Sequence, residues 1–133
     1  MQYLCLVYGD EAEFDVLTAE TQTALDEESL AADDELRRTR NLLVASALEP
    51  PSSAVIVRVR DGRMSATAGP FAETAEQVGG FILIEARDLN DAVRIAGQMP
   101  VARHASIEVR PVLDLPRRAR ERRAALDGQG TWR

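Results

Sequence analysis

The chain has 133 residues, 45% of them hydrophobic, a formal net charge of −6 at pH 7 and a single cysteine, Cys5. That is the length of one domain with a core that needs no staples, and it excludes an internal disulfide. All 16 basic residues are arginine; residues 117–133 hold six of them against Glu121 and Asp127, so this tail is +4 and the rest −10, a balance that argues against nucleic acid as the main partner.

Residues 2–8 alternate Leu4, Leu6 and Tyr8 with Tyr3, Cys5 and Val7, so both faces of the predicted first strand are apolar. Cys5 reads there as a small buried hydrophobe. Gly9 and Asp10 end the strand, and residues 10–17 form an acidic connection anchored by Phe14, Val16 and Leu17. A helix is predicted from Thr18 to Arg40, capped by Thr18, with Leu25, Ser29, Ala32 and Leu36 on its inner face and Asn41 as the left-handed residue after it. Leu42 to Leu48 reads as a strand stopped by Glu49-Pro50-Pro51. Val55, Val57 and Val59 alternate with Ile56, Arg58 and Arg60, and Asp61-Gly62 predicts a two-residue hairpin turn with positive φ at both positions. Residues 63–67 return.

The loop Ala68-Gly69-Pro70-Phe71 follows, with Gly69 permitting positive φ and Phe71 as an apolar anchor. Gly79-Gly80 precedes a strand rather than a helix, which fits a bulge or a close backbone approach and not a phosphate loop. Phe81 and Leu83 oppose Ile82 and Ile84 in the strand from Gly80 to Ala86. Asp88 caps a second helix with a stripe of Leu89, Ala92, Val93 and Ala96, ended by Met99-Pro100. The last strand runs from Ser106 to Leu113. Asp114 and Pro116 start a third helix that Gly128 closes, leaving residues 128–133 as a loose end. The expected fold class is α+β: a ferredoxin-like antiparallel sheet with two helices on one face and an added hairpin. The other sheet face is apolar too, and stacking it on a second copy gives a dimeric α+β barrel, hence an expected homodimer.

The opening Met1-Gln2-Tyr3-Leu4-Cys5-Leu6-Val7-Tyr8, Ala47-Leu48-Glu49-Pro50-Pro51, the run from Val57 to Arg63, Gly69-Pro70-Phe71-Ala72-Glu73-Thr74, Gly79-Gly80-Phe81 and Ile107-Glu108-Val109-Arg110-Pro111-Val112 together resemble the YCII-related family, in the branch named for an Asp-Gly-Pro-Phe motif. The resemblance covers residues 1–114 as a domain and leaves residues 115–133 as an Arg-rich, partly helical tail. It implies a dimeric ferredoxin-like barrel with a cleft between sheet and partner. The smaller relatives use a His–Asp pair, and this branch is often encoded beside extracytoplasmic-function sigma factors. Here Ala68 stands at the motif aspartate and the first helix has no histidine, so that acid–base route is missing.

The remaining chemistry-bearing residues are few. His104, the only histidine, and the carboxylates of Glu85 and Glu108 are the candidate proton carriers; Arg58, Arg110 and Tyr8 are the candidate ligand-binding residues for a small anion in the dimer cleft. One histidine and one cysteine do not build a transition-metal cluster, and no cofactor motif is present, so neither metal nor cofactor is expected. No segment reaches membrane-spanning length and no basic leader precedes the first apolar run, which makes the cytoplasm the expected location. The expectation is a small-molecule enzyme or binder; the alternative is a non-catalytic accessory or regulatory protein, for example one acting with a sigma factor.

Overall fold

The structure, a computed structural model, describes residues 1–131. Strand β1 (Gln2–Asp10) lies inside a four-stranded antiparallel sheet of order β2-β5-β1-β6, with β2 at Leu42–Ala47, β5 at Glu76–Glu85 and β6 at Ser106–Pro111. Helices α2 (Ala19–Arg38) and α3 (Leu89–Gly97) both pack on one face. With the hairpin of β3 (Val55–Arg60) and β4 (Arg63–Ala68) set aside, the order is the expected β-α-β-β-α-β. The short helix α1 (Glu11–Asp15) and a C-terminal helix α4 (Leu115–Thr131) complete the chain.

The alternation of β1 decides where the core sits. Tyr3, Cys5 and Val7 point toward the helices, and Tyr3, Cys5 and Ile84 are fully buried against Ala92, Ile95, Ala96 and Met99. Burial pushes the Cys5 thiol up to about 11, so it stays protonated and unreactive. On the opposite face the register aligns Leu4 with Leu83 and Leu6 with Phe81. These four are half-buried, and neither α2 nor α3 packs on them.

Capping follows the sequence closely. The Thr18 hydroxyl accepts from the Thr21 amide at 3.1 Å, and Asp88 accepts from the Asp91 amide at 2.8 Å. Asp61 and Gly62 have φ of 52° and 73°, as a two-residue hairpin turn requires. Between Val7 and Tyr8 the ladder slips by one residue opposite Gly79, forming a bulge. A Cβ at Gly80 would lie 3.0 Å from the Ser46 carbonyl oxygen.

Several expectations need correction. The residue with positive φ after α2 is Arg40, not Asn41, whose amide side chain instead donates to the Glu85 carbonyl at 3.0 Å. Gly69 is required by proximity and not by φ: a Cβ there would meet the Ala54 Cβ at 2.8 Å. The inner stripe of α3 is Ala92, Ile95 and Ala96, while Leu89 and Val93 are exposed, because the sheet meets the helix about 60° further round. Val16 is exposed, so only Phe14 and Leu17 anchor the acidic connection. Strand β5 begins at Glu76, since residues beyond the bulge still pair with Tyr8, Gly9 and Asp10. Helix α4 runs through Gly128 to Thr131 instead of closing there.

Asp91 is nearly buried and accepts from the Arg87 amide at 3.0 Å and from Arg94 Nη2 at 2.8 Å. The backbone bond from Arg87, then the side chains of Arg94 and Arg87, hold its carboxyl well below the usual carboxylate range. A depressed native pKa contributes stability above the unfolded value of about 3.9, and that contribution fades as pH falls toward the native one. Asp91→Asn is therefore expected to lower the melting temperature at pH 7 by more than it does near pH 2. Equal shifts at both pH values would contradict this assignment.

Candidate functional site

The bulge at Gly79 and the loop after β4 shape a cavity of about 560 Å³ where the four-stranded sheet meets the hairpin. Its walls include Tyr8, Leu48, Pro50, Pro51, Ile56, Pro70, Phe71 and Val78, with Glu49, Ser53, Thr74, Glu76 and Gln77 as the polar lining. The Gln77 amide is committed, donating to the Ala72 and Thr74 carbonyls at 2.6 and 2.8 Å, so it fixes the loop. Phe71 is 77% exposed and carries the Arg58 guanidinium 5.7 Å above its ring. Phe71, expected as an apolar anchor of the loop, is a largely exposed cavity wall and a platform for Arg58. The cavity is mostly apolar, its charged lining residues are the carboxylates Glu49 and Glu76, and the Arg58 cation reaches it only through its contact with Phe71.

Of the residues singled out from sequence, Tyr8 and Arg58 come together here, Tyr8 in the wall and Arg58 through Phe71. Glu108 and Arg110 lie on the same sheet face as Tyr8: the register sets Ser106 beside Tyr8, Glu108 beside Leu6 and Arg110 beside Leu4. Arg110 Nη2 donates to Glu108 at 2.9 Å. Glu85 is elsewhere. It ends β5, accepts from the Met1 amine at 2.7 Å and lines a different cavity of about 820 Å³ with Val112, Arg117 and Arg118. His104 opens onto a third cavity of about 370 Å³ beside Glu13, Leu17 and Arg103, its ring 6.4 Å from that of Phe14. The three candidate proton carriers therefore do not converge. Sequence reading missed the roles of Pro50, Pro51, Ile56 and Phe71, although the Pro-Pro and Gly-Pro-Phe motifs marked two of the walls.

The model of the YCII-related domain matches residues 1–116, from the first strand to the start of α4. The chain belongs to the YCII-related domain family. An uncharacterized protein of Rhizobium meliloti (strain 1021) is 31% identical to this YCII-related chain over 114 residues, covering 84% of it and 92% of the relative. Among solved structures, 5-chloro-2-hydroxyhydroquinone dehydrochlorinase from Burkholderia phenoliruptrix AC1100, in complex with 2,5-dihydroxybenzoquinone, superposes with a TM-score of 0.53 at 13% identity. That likeness covers 85% of this chain and 94% of the other, and it extends to the fold. Among the described residues of this YCII-related protein no helix is long and apolar enough to cross a membrane.

Proposed function

We propose that this protein is a homodimeric small-molecule enzyme or binder of the Asp-Gly-Pro-Phe branch, with Ala68 at the motif aspartate, and that it holds a small organic anion in the Tyr8–Phe71 cavity. The observation that carries this reading is the cavity itself: mostly apolar walls at the end of an apolar sheet face, with the Arg58 guanidinium stacked on the wall residue Phe71 as the nearest cation, beside the lining carboxylates Glu49 and Glu76. Stacking two open faces buries Leu4, Leu6, Phe81 and Leu83 and turns the sheet surface into a cleft with Glu108 and Arg110 on its floor. In that cleft Glu108 is the group placed to handle a proton and Arg110 a second cationic contact. His104 and Glu85 remain candidates only for chemistry in their own cavities. A dehydrochlorinase with a bound quinone on the same fold supports a ring-sized ligand and supplies a first probe.

Calorimetry with 2,5-dihydroxybenzoquinone and a series of aromatic carboxylates tests the reading. At least one compound is expected to bind, and Arg58→Ala to weaken it about tenfold, worth about 1.4 kcal/mol. Binding that is unaffected by Arg58→Ala and Tyr8→Phe, or no binding at all, would set this reading aside.

A second reading has its own support. Helix α4 is basic, and all its residues from Leu115 to Asp127 except Arg118 are exposed. A non-catalytic accessory role, with residues 115–133 as a separate tail contacting an acidic protein, predicts that truncation at Leu115 abolishes a partner without changing ligand binding.

A further inference from the structure

The β3–β4 hairpin is built like an interface and not like a free surface. Among the described residues β3 pairs only with β4, and neither joins the four-stranded sheet. Every residue from Val57 to Ala68 is exposed. A lone two-stranded ribbon is marginally stable in water at best, so a hairpin of this length needs a cover on one side. Period 2 sorts its side chains cleanly. Val55, Val57 and Val59 stand on one face at 63%, 61% and 60% exposure, and the register sets Ala68, Ala66 and Met64 beside them. That makes one continuous apolar strip. The other face carries Ile56, which enters the Tyr8 cavity, and then Arg58, Arg60 and Arg63.

The arginines add a second, independent observation. Arg60 and Arg63 are direct cross-strand partners, and like charges in that position repel. No carboxylate of the described residues pairs with Arg58, Arg60 or Arg63, although the chain carries 22 acidic residues. Residues 55–68 have a net charge of +2 and residues 115–133 of +4, whereas everything else together is −12. The parts of the chain outside the helix-and-sheet body are the basic ones, and the body is strongly acidic. The nearest complement to a basic arm with an apolar strip is the acidic body of another copy.

We infer that the hairpin is an exchange arm: its Val55-Val57-Val59 face lies on a second copy of this chain, and Arg60 and Arg63, on the reverse face but at the exposed tip beyond the Tyr8 cavity, meet carboxylates of that copy. The inference rests on the homodimer reading above and deepens it. Because Ile56 and Arg58 sit on the reverse side of the same ribbon, seating the arm also fixes the wall of the Tyr8 cavity, so the ligand site is complete only in the assembled protein.

The test uses the full chain. Sedimentation across a micromolar-to-nanomolar dilution series gives the association constant of the wild type, of the Val57→Asp/Val59→Asp variant and of Leu6→Glu. Hydrogen exchange of residues 55–68 is followed along the same series. The arm predicts that the double aspartate variant stays folded by circular dichroism and associates at least 100-fold more weakly. It also predicts that the hairpin amides of the wild type are protected when assembled and exchange freely when dilute. Replacing Arg60 and Arg63 with alanine should weaken association and flatten its salt dependence. A wild type that associates through the sheet, is broken by Leu6→Glu, yet is untouched by the hairpin aspartates would overturn the arm and leave the dimer standing. Hairpin amides protected in a dilute monomer would assign the cover to the same chain and overturn it as well. A wild type that is monomeric throughout would remove both readings together.

Discussion

Ile84→Ala is expected to destabilise the fold by about 2–5 kcal/mol, a fall in melting temperature on the order of 10 °C. Ile84 has no solvent exposure and sits at the crossing of three strands, opposite Tyr3 on β1 and Leu42 on β2. Its side chain belongs to the cluster that α3 closes with Ala92, Ile95 and Ala96. Ala92 and Ala96 have only a backbone-anchored methyl to offer, so they cannot collapse into the space left by the lost carbons, which places the cost in the upper part of the range. Ile84→Val removes one methyl group and should cost about 0.5–1.5 kcal/mol. The neighbouring Leu83→Ala is the internal control. It lies on the opposite, half-buried face beside Leu4 and Val44, and in a dilute single chain it should cost clearly less than Ile84→Ala. Urea melts of the three variants check this. Equal losses at positions 83 and 84 would show that the two faces of β5 are not distinguished as the register places them.

That contrast also shows what could be read in advance. The apolar alternation of β1 and β5 fixes both faces of the sheet, and no tertiary knowledge is needed to see that Tyr3 and Leu4 diverge. Thr18, Asp88 and Asp61-Gly62 act through their own backbone neighbours, so local sequence was sufficient for them too. Leu89 and Val93 are not separable from the inner face by sequence, because two adjacent stripes of α3 are both apolar and only the position of the sheet selects the one with Ile95. The early start of β5 is not legible in the sequence, because Glu76 and Gln77 are polar and are held by ladder pairing with Asp10 and Gly9. Gly128 suggests a stop because glycine favours helix ends, yet that preference is weak where nothing else interrupts the helical run. The cavity was legible only as fragments. Pro50-Pro51 and Gly69-Pro70-Phe71 lie about twenty residues apart, and it takes the close approach of Gly69 to Ala54, with an amide-to-carbonyl bond of 2.8 Å, to bring them together.

Leu6→Glu carries the largest expected effect on assembly. Leu6 is at the centre of the open sheet face, with Phe81 beside it on β5 and Glu108 on β6. In the proposed homodimer a two-fold axis brings the same patch of each copy together, so one substitution enters the interface twice. Each new carboxylate would be desolvated without a cationic partner, next to a glutamate already occupied by Arg110. A penalty of about 4 kcal/mol corresponds to roughly a thousandfold weaker association. The lone subunit should remain folded, because Leu6 is only half-buried there and its neighbours in the core, Cys5 and Val7, face the other way. Leu6→Met keeps the volume and the apolar surface and should associate as the wild type does. Light scattering coupled to gel filtration separates the outcomes: a folded monomer for Leu6→Glu and a dimer for Leu6→Met are expected, while a Leu6→Glu protein that elutes as a dimer with unchanged stability would mean that this face is not where two copies meet.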